Sequence, residues 1–246
     1  HDWEKTERLA QEMISNHGDN WQGYWYLGQA NLGLGNYTEA ESSFLSSLEK
    51  FPNNQQSYEG LLNIYLAKRK WHKVISISEK MIFHYPKFWL GHWNLGQAYI
   101  HLENYKKANI AFEKLTTVLP NVHEGKEGLL QVAEAESAWE KSITLSEEMV
   151  DKYPENWWGY WYLGQAYWSL KDTVNAEKIF NLMDEKFVNN TANFINWANN
   201  VRLESSAFRD IWFARLVRFN QIYLIKPNDL DIIVEYVKLL LSTEHF

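Results

Sequence analysis

The chain has 246 residues, of which 46% are hydrophobic and 22% charged, a balance typical of a globular protein with a sizeable core. It contains no cysteine, which excludes disulfides, thiolate metal sites and cysteine nucleophiles. A formal net charge of −7 provides no overall basic field for nucleic acid, so a nucleic-acid partner is not expected. No apolar run reaches the roughly 18 residues of a membrane helix, so membrane insertion is not expected either.

A ten-residue phrase occurs three times along the chain. It reads WQGYWYLGQA at 21–30, WLGHWNLGQA at 89–98 and WWGYWYLGQA at 157–166. The copies start 68 residues apart, which is twice 34, and a fixed period of this size indicates a repeat architecture. Frames of 34 residues counted from residue 21 place leucine at the seventh position throughout and proline at the thirty-second in four frames. These residues are Leu27, Leu61, Leu95, Leu129 and Leu163, and Pro52, Pro86, Pro120 and Pro154.

Each frame predicts two short helices. Positions 4, 7, 8 and 11 form one apolar or small-residue stripe, positions 20, 24 and 27 form another, and the proline ends the second helix. In chain order, residues 1–20 are predicted to hold the second helix of a truncated repeat. Five repeats, an atypical repeat and a capping helix follow: 21–54, 55–88, 89–122, 123–156, 157–190, 191–228 and 229–246.

The repeat resembles the tetratricopeptide repeat (TPR) family. Its W-x2-L-G-x2-Y, A-x3-F and P pattern is matched in the first frame by Leu27, Gly28, Ala40, Phe44 and Pro52, with tyrosine in place of the first tryptophan. The resemblance covers essentially the whole chain. It implies an all-α fold, a right-handed superhelical solenoid of antiparallel helix pairs with about six repeats and a C-terminal capping helix. Stacked neighbours in such an array share one continuous core.

The 13 tryptophans fall into classes by position. Those that open second helices are predicted to be wedges between neighbouring helix pairs: Trp3, Trp71, Trp139 and Trp212. Those that open first helices are predicted to pack in the same way: Trp21, Trp89 and Trp157. A third class, Trp25, Trp93 and Trp161, stands at position 5 of alternate frames, beside the apolar stripe and outside it.

The resemblance implies that positions 2, 5, 9 and 12 line a concave groove. The candidate ligand-binding residues on these positions are tryptophans, side-chain amides, carboxylates and one arginine. They are Trp25, Gln29, Glu59, Asn63, Trp93, Gln97, Glu127, Gln131, Trp161, Gln165, Trp168, Asn199 and Arg202. Amides in register can pair with an extended peptide backbone, and accessible tryptophans beside amides equally suit a sugar. The remaining alternative is that the rings are buried and the amides only bridge repeats.

We therefore expect a non-catalytic scaffold that binds a protein or peptide partner in this groove. The alternative is a carbohydrate-gripping or assembly module of a bacterial polysaccharide-synthesising glycosyltransferase or export system, to whose TPR arrays the repeat phrasing is loosely similar. The partner would then be a glycan or a catalytic domain of the same polypeptide, and self-association through exposed tryptophans is a third hypothesis.

Motifs for chemistry are not found in the sequence. The histidines form no H-x3-H or HExxH pair, and no phosphate loop or nucleophile elbow occurs, so neither a metal nor a cofactor is expected. The chain starts at His1 inside a repeat, from which we expect a piece of a longer protein that can carry an enzyme domain elsewhere. The cytoplasm is the default expectation for its compartment.

Overall fold

The computed structural model describes residues 2–18 and 20–187. These residues contain eleven α-helices and no strand, which confirms the all-α prediction for this part of the chain. No helix within the same ranges is both long and apolar enough to cross a membrane. The helices are α1 Trp3–Asn16, α2 Trp21–Gly33, α3 Tyr37–Lys50, α4 Gln55–Ala67, α5 Trp71–His84, α6 Trp89–His101, α7 Tyr105–Val118, α8 Glu124–Ala135, α9 Trp139–Lys152, α10 Trp157–Ser169 and α11 Thr173–Phe187.

The predictions for the last part of the chain lie outside the described residues. They are the atypical repeat at 191–228, the cap at 229–246, the wedge Trp212 and the groove residues Asn199 and Arg202. The chain up to Phe180 forms one compact unit, and a second unit starts at Asn181. Only the end of α11 is described in the second unit.

Side-chain caps and a repeated turn set the helix ends. Asn54 Oδ1 accepts a hydrogen bond from the Ser57 N–H at 2.7 Å, which satisfies one of the unpaired donors at the start of α4. At the end of α2, the Gly35 N–H donates to the Leu32 carbonyl and the Asn36 N–H to the Asn31 carbonyl, at 3.1 and 2.8 Å. This pattern is a Schellman turn, whose penultimate residue has a positive φ. The same position has a positive φ in all five described repeats: Gly35, Arg69, Glu103, Ser137 and Lys171.

The core is built from phenylalanines clamped between glycines. Phe112, in α7, is fully buried between Gly96 of α6 and Gly128 of α8. A Cβ atom on Gly96 or Gly128 would stand 2.3 or 2.2 Å from the Phe112 ring, so neither position has room for a side chain. Phe44 is held by Gly28 and Gly60 in the same way. Glycine at these positions therefore lets the helices approach closely.

The second and fourth repeats, 55–88 and 123–156, have the opposite arrangement of side-chain sizes. Ser78 and Ser146 replace phenylalanine at position 24, and the large apolar residues Leu62 and Leu130 replace glycine at position 8; all four are buried. The smaller side chain on the second helix of the repeat thus leaves space, and the larger side chain on the first helix fills it. This alternation explains in packing terms why the sequence repeats every 68 residues.

Two of the tryptophans that open second helices pack on the following repeat. The Trp71 ring stacks on His101 at the end of α6, with ring centroids 4.0 Å apart and planes 8° from parallel. Trp3 lies so close to Gly33 at the end of α2 that a Cβ there would be 2.3 Å from the indole. The wedge prediction is confirmed for these two residues.

Three of the four described pairs of successive first helices lie side by side. α2 packs on α4, α6 on α8, and α8 on α10, whereas no pair of second helices within the described residues packs to the same extent. In a curved stack the elements on the inner side are the closer ones, so the first helices form the inner face of the array. The candidate residues between Trp25 and Trp168 belong to these helices.

Candidate binding face of the first helices

The three tryptophans at position 5 differ in accessibility. Trp25 and Trp93 are half-buried, and the Trp93 ring centroid lies 5.6 Å from that of Phe112. Trp161 is only 3% exposed and lies 5.9 Å from Phe180. The carbohydrate hypothesis requires all three rings to be accessible, and Trp161 does not meet that requirement. Tyr160, Tyr162 and Leu163 on the same helix are buried as well.

The position-9 amides connect neighbouring repeats. Gln97 Nε2 donates to Gln131 Oε1 at 2.5 Å, across 34 residues of sequence. Gln131 Nε2 in turn points to Glu127 Oε1 at 3.4 Å. The alternative that amides bridge repeats thus holds for this pair. Asn63 at the same position is exposed, and Gln29 is half-buried.

The two glutamates at position 5 have different surroundings. Glu59 is partly buried and accepts a hydrogen bond from Gln55 Nε2 at 2.9 Å. Glu127 is 7% exposed, and its burial, with a contribution from the negative charge of Glu124, raises its pKa to about 7. His123 Nε2 lies 3.8 Å from Glu127 Oε2. A large fraction of Glu127 is therefore neutral near pH 7.

Two residues that the sequence analysis did not select belong to the same face. Glu134, at position 12 of the fourth repeat, has its Oε1 atom buried with no hydrogen-bond partner, and burial raises its pKa to about 8. Tyr162 is buried on α10, close to the side chain of Gln131. Burial raises the pKa of Tyr162 well above its usual range, with a further contribution from Glu134 and Glu127.

A signal for Glu134 was present in the sequence. Position 12 is apolar in the first three repeats, where it is Leu32, Leu66 and Ile100, and it becomes a carboxylate only in the fourth. Trp168 holds this position in the fifth repeat and is half-buried. No group of three histidines, aspartates or glutamates that could hold a metal ion occurs between residues 2 and 18 or between 20 and 187.

Comparisons with known proteins agree with this architecture. Two family models described as tetratricopeptide repeat match the sequence, one over residues 2–55 and the other over residues 91–121. No curated protein sequence matches the chain.

Several solved structures have a similar fold. A tetratricopeptide repeat protein from Parabacteroides merdae aligns over 97% of this chain and 92% of its own, with 18% identity and a TM-score of 0.62. MamA aligns over 69% of this chain and 93% of its own, with 19% identity and a TM-score of 0.59. YrrB, a TPR protein with an unusual peptide-binding site, aligns over 72% and 91%, with 14% identity and a TM-score of 0.54. Identities this low show a shared fold alone.

Proposed function

Because this chain is a tetratricopeptide-repeat protein, we propose that it is a non-catalytic scaffold that binds an extended segment of a protein partner along the inner face of its first helices. The observation that carries the proposal is the Gln97–Gln131 hydrogen bond, since it shows that position-9 amides of adjacent repeats reach one another. A row of such amides offers donors and acceptors at the pitch of the repeats. That YrrB, a protein of similar fold, has a peptide-binding site supports the same reading.

The spacing of the row suits a peptide in extended conformation. Packed helices lie about 8–10 Å apart, and an extended chain advances about 3.3 Å per residue. One repeat therefore corresponds to about three peptide residues, and the five described first helices to a segment of about twelve. Asn63 is exposed for backbone pairing, while the half-buried rings of Trp25 and Trp93 offer apolar surface to peptide side chains.

The test is the binding of the chain to a random library of twelve-residue peptides, with the affinity of selected peptides measured by fluorescence polarisation. Asn63→Ala should weaken binding about fivefold, since a lost hydrogen bond is worth about 1 kcal/mol. Gln97→Ala should have a similar or larger effect because it also breaks the link to Gln131. The matched control is Asn121→Ala, which removes an exposed amide from the loop between α7 and α8.

Two outcomes would contradict the proposal. One is that no peptide binds, and the other is that Asn121→Ala weakens binding as much as Asn63→Ala does. Circular dichroism of each variant separates a lost contact from a lost fold.

The carbohydrate alternative now rests on Trp25 and Trp93, because the buried Trp161 offers no face for stacking. It predicts that bacterial oligosaccharides protect these two rings from acrylamide quenching of fluorescence. Protection without any peptide binding would favour the polysaccharide-assembly hypothesis over the peptide scaffold.

A further inference from the structure

The inner face contains a cluster of buried polar side chains whose hydrogen-bonding capacity is not filled. It consists of Glu127, Gln131 and Glu134 on α8 and Tyr162 on α10, and we refer to it as the α8–α10 cluster. Glu127, Gln131 and Glu134 are spaced four and three residues apart, so they share one side of α8. Tyr162 of α10 lies close enough to Glu127, Gln131 and Glu134 for all three to affect its pKa, so the cluster spans both helices.

Acceptors exceed donors in this cluster. Glu134 Oε1 is buried and unpaired. Gln165, one turn beyond Tyr162 on the same side of α10, is 8% exposed and its Oε1 is unpaired as well. Gln165 occupies in α10 the position that Gln131 occupies in α8, and the Gln97–Gln131 bond shows that this position faces the preceding first helix. Buried polar atoms are normally satisfied, so the unpaired oxygens of Glu134 on α8 and Gln165 on α10 indicate missing donors.

Positive charge is scarce among the described groups that face the cluster. Glu124, Glu127, Glu134 and Tyr162 are all acids, and the His123 ring lies 3.5 Å from Glu124 and 3.8 Å from Glu127. Lys126, which follows on the same helix, is instead paired with Glu148 of α9. The cluster therefore lacks both donors and a counter-charge.

We propose that the α8–α10 cluster receives an arginine side chain of the bound peptide, an inference that rests on the peptide-binding function proposed above. A guanidinium has five N–H donors in a planar fork, remains charged, and matches a carboxylate and a neighbouring amide oxygen together. Lysine carries the same charge on three donors and fits less completely. The partner is thus a basic segment, which agrees with the acidic net charge of the chain.

Proton release accompanies this mode of binding. Burial keeps the pKa of Glu127 near 7 and that of Glu134 near 8, so both carboxyl groups are partly protonated before a ligand enters. A guanidinium beside them favours the ionised form and lowers both pKa values, because opposite charges attract at short range. Protons are therefore released when an arginine peptide binds near pH 7.

The experiment uses the whole chain and a positional library of twelve-residue peptides in which one position is fixed as Arg, Lys, Gln or Glu and the others are random. At one position, the Arg sublibrary should bind at least tenfold more tightly than the Gln sublibrary. Glu134→Gln should remove that preference and still bind peptides. Glu140→Gln, a change of the same type at an exposed site on α9, should keep the preference.

Calorimetry in two buffers of different ionisation enthalpy provides a second readout. Binding of the Arg sublibrary at pH 7.5 should release protons in the wild type, and fewer in Glu134→Gln. Peptide binding without any preference for arginine would overturn the inference and leave the scaffold intact. Failure of every sublibrary to bind would overturn both. An arginine preference unchanged in Glu134→Gln and in Glu127→Gln would place the basic side chain elsewhere and overturn the inference too.

Discussion

At the scale of single residues, the buried carboxyl of Glu134 is costly to the fold. Its pKa of about 8 in the folded chain exceeds the value of 4.5 expected when it is exposed, so folding favours the protonated form. The penalty is absent below pH 4.5, grows as the pH rises, and is complete above pH 8. A group kept at such a cost is more easily explained by ligand binding than by stability.

Glu134→Gln should therefore stabilise the protein in a pH-dependent way. The variant should match the wild type near pH 4.5 and exceed it by about 4 kcal/mol at pH 8, since glutamine cannot ionise. Urea unfolding of both proteins at pH 4.5, 6, 7 and 8 measures the difference. Glu140→Gln, which is exposed, should show no such trend, and a gain for Glu134→Gln that is the same at every pH would refute the linkage.

The phenylalanines clamped between glycines should dominate core stability. Phe112→Ala should cost about 3–5 kcal/mol, because it empties a site that is fully buried and whose glycine walls cannot fill it. Phe83→Ala is the matched control: this ring is 81% exposed, and its loss should change the free energy of unfolding by less than about 0.5 kcal/mol. Equal effects in urea unfolding would show that the clamp does not hold the array together.

Residue types predicted the core better than the binding face. Phe112 and its glycines follow from a repeated small-and-large pattern that is visible in sequence. The burial of Trp161 and of the Glu134 carboxyl oxygen does not, because it depends on tertiary packing around α8 and α10. Gln97 and Gln131 stand one repeat period apart, so the sequence alone identified them as candidates. That they bond to each other across repeats became clear only from the structure.

At the scale of the helices, the turn inside each described repeat has the same backbone conformation, which the residue types at the turn do not predict. All five described turns contain one residue with φ between 50° and 79°, yet only Gly35 is the type suited to it. The helix starts were predictable because asparagine, proline and tryptophan mark them, as at Asn54. The left-handed residue was not, since Arg69 or Ser137 carries no signal for positive φ.

Exchanging residue types at this turn should change stability in opposite directions. Ser137→Gly should stabilise the protein by about 0.5–1 kcal/mol by relieving the left-handed conformation of a residue with a Cβ. Gly35→Ala should destabilise it by about 1 kcal/mol, and only through backbone conformation, because nothing lies within 4 Å of the added Cβ. Chemical denaturation of both variants tests the pair, and a loss of stability in Ser137→Gly would contradict this account.

At the scale of the whole molecule, the structural unit is a pair of repeats and not a single one. A repeat with Phe at position 24 requires glycine at position 6 of the next repeat. Phe112, for example, packs against Gly128 and leaves no room there for a side chain. Where position 24 is Ser78, the successor has room for Asn94 at that position, and both are buried. Interfaces between repeats therefore alternate between two types, and each repeat fits only a neighbour of the other type.

This alternation predicts how the array can be lengthened. A second copy of residues 89–156, inserted after residue 156, reproduces both native interfaces and should raise the thermal midpoint, since each added interface contributes to the stability of a repeat array. A second copy of residues 89–122, inserted after residue 122, places a copy of Asn94 against Phe112, where an added Cβ would stand about 2.2 Å from the ring. Overpacking of that kind costs about 1–3 kcal/mol or more, so the shorter insertion should lower the midpoint below that of the native chain. Circular dichroism melts of the three proteins decide the matter: if both insertions stabilise in proportion to their length, the single repeat is the unit after all.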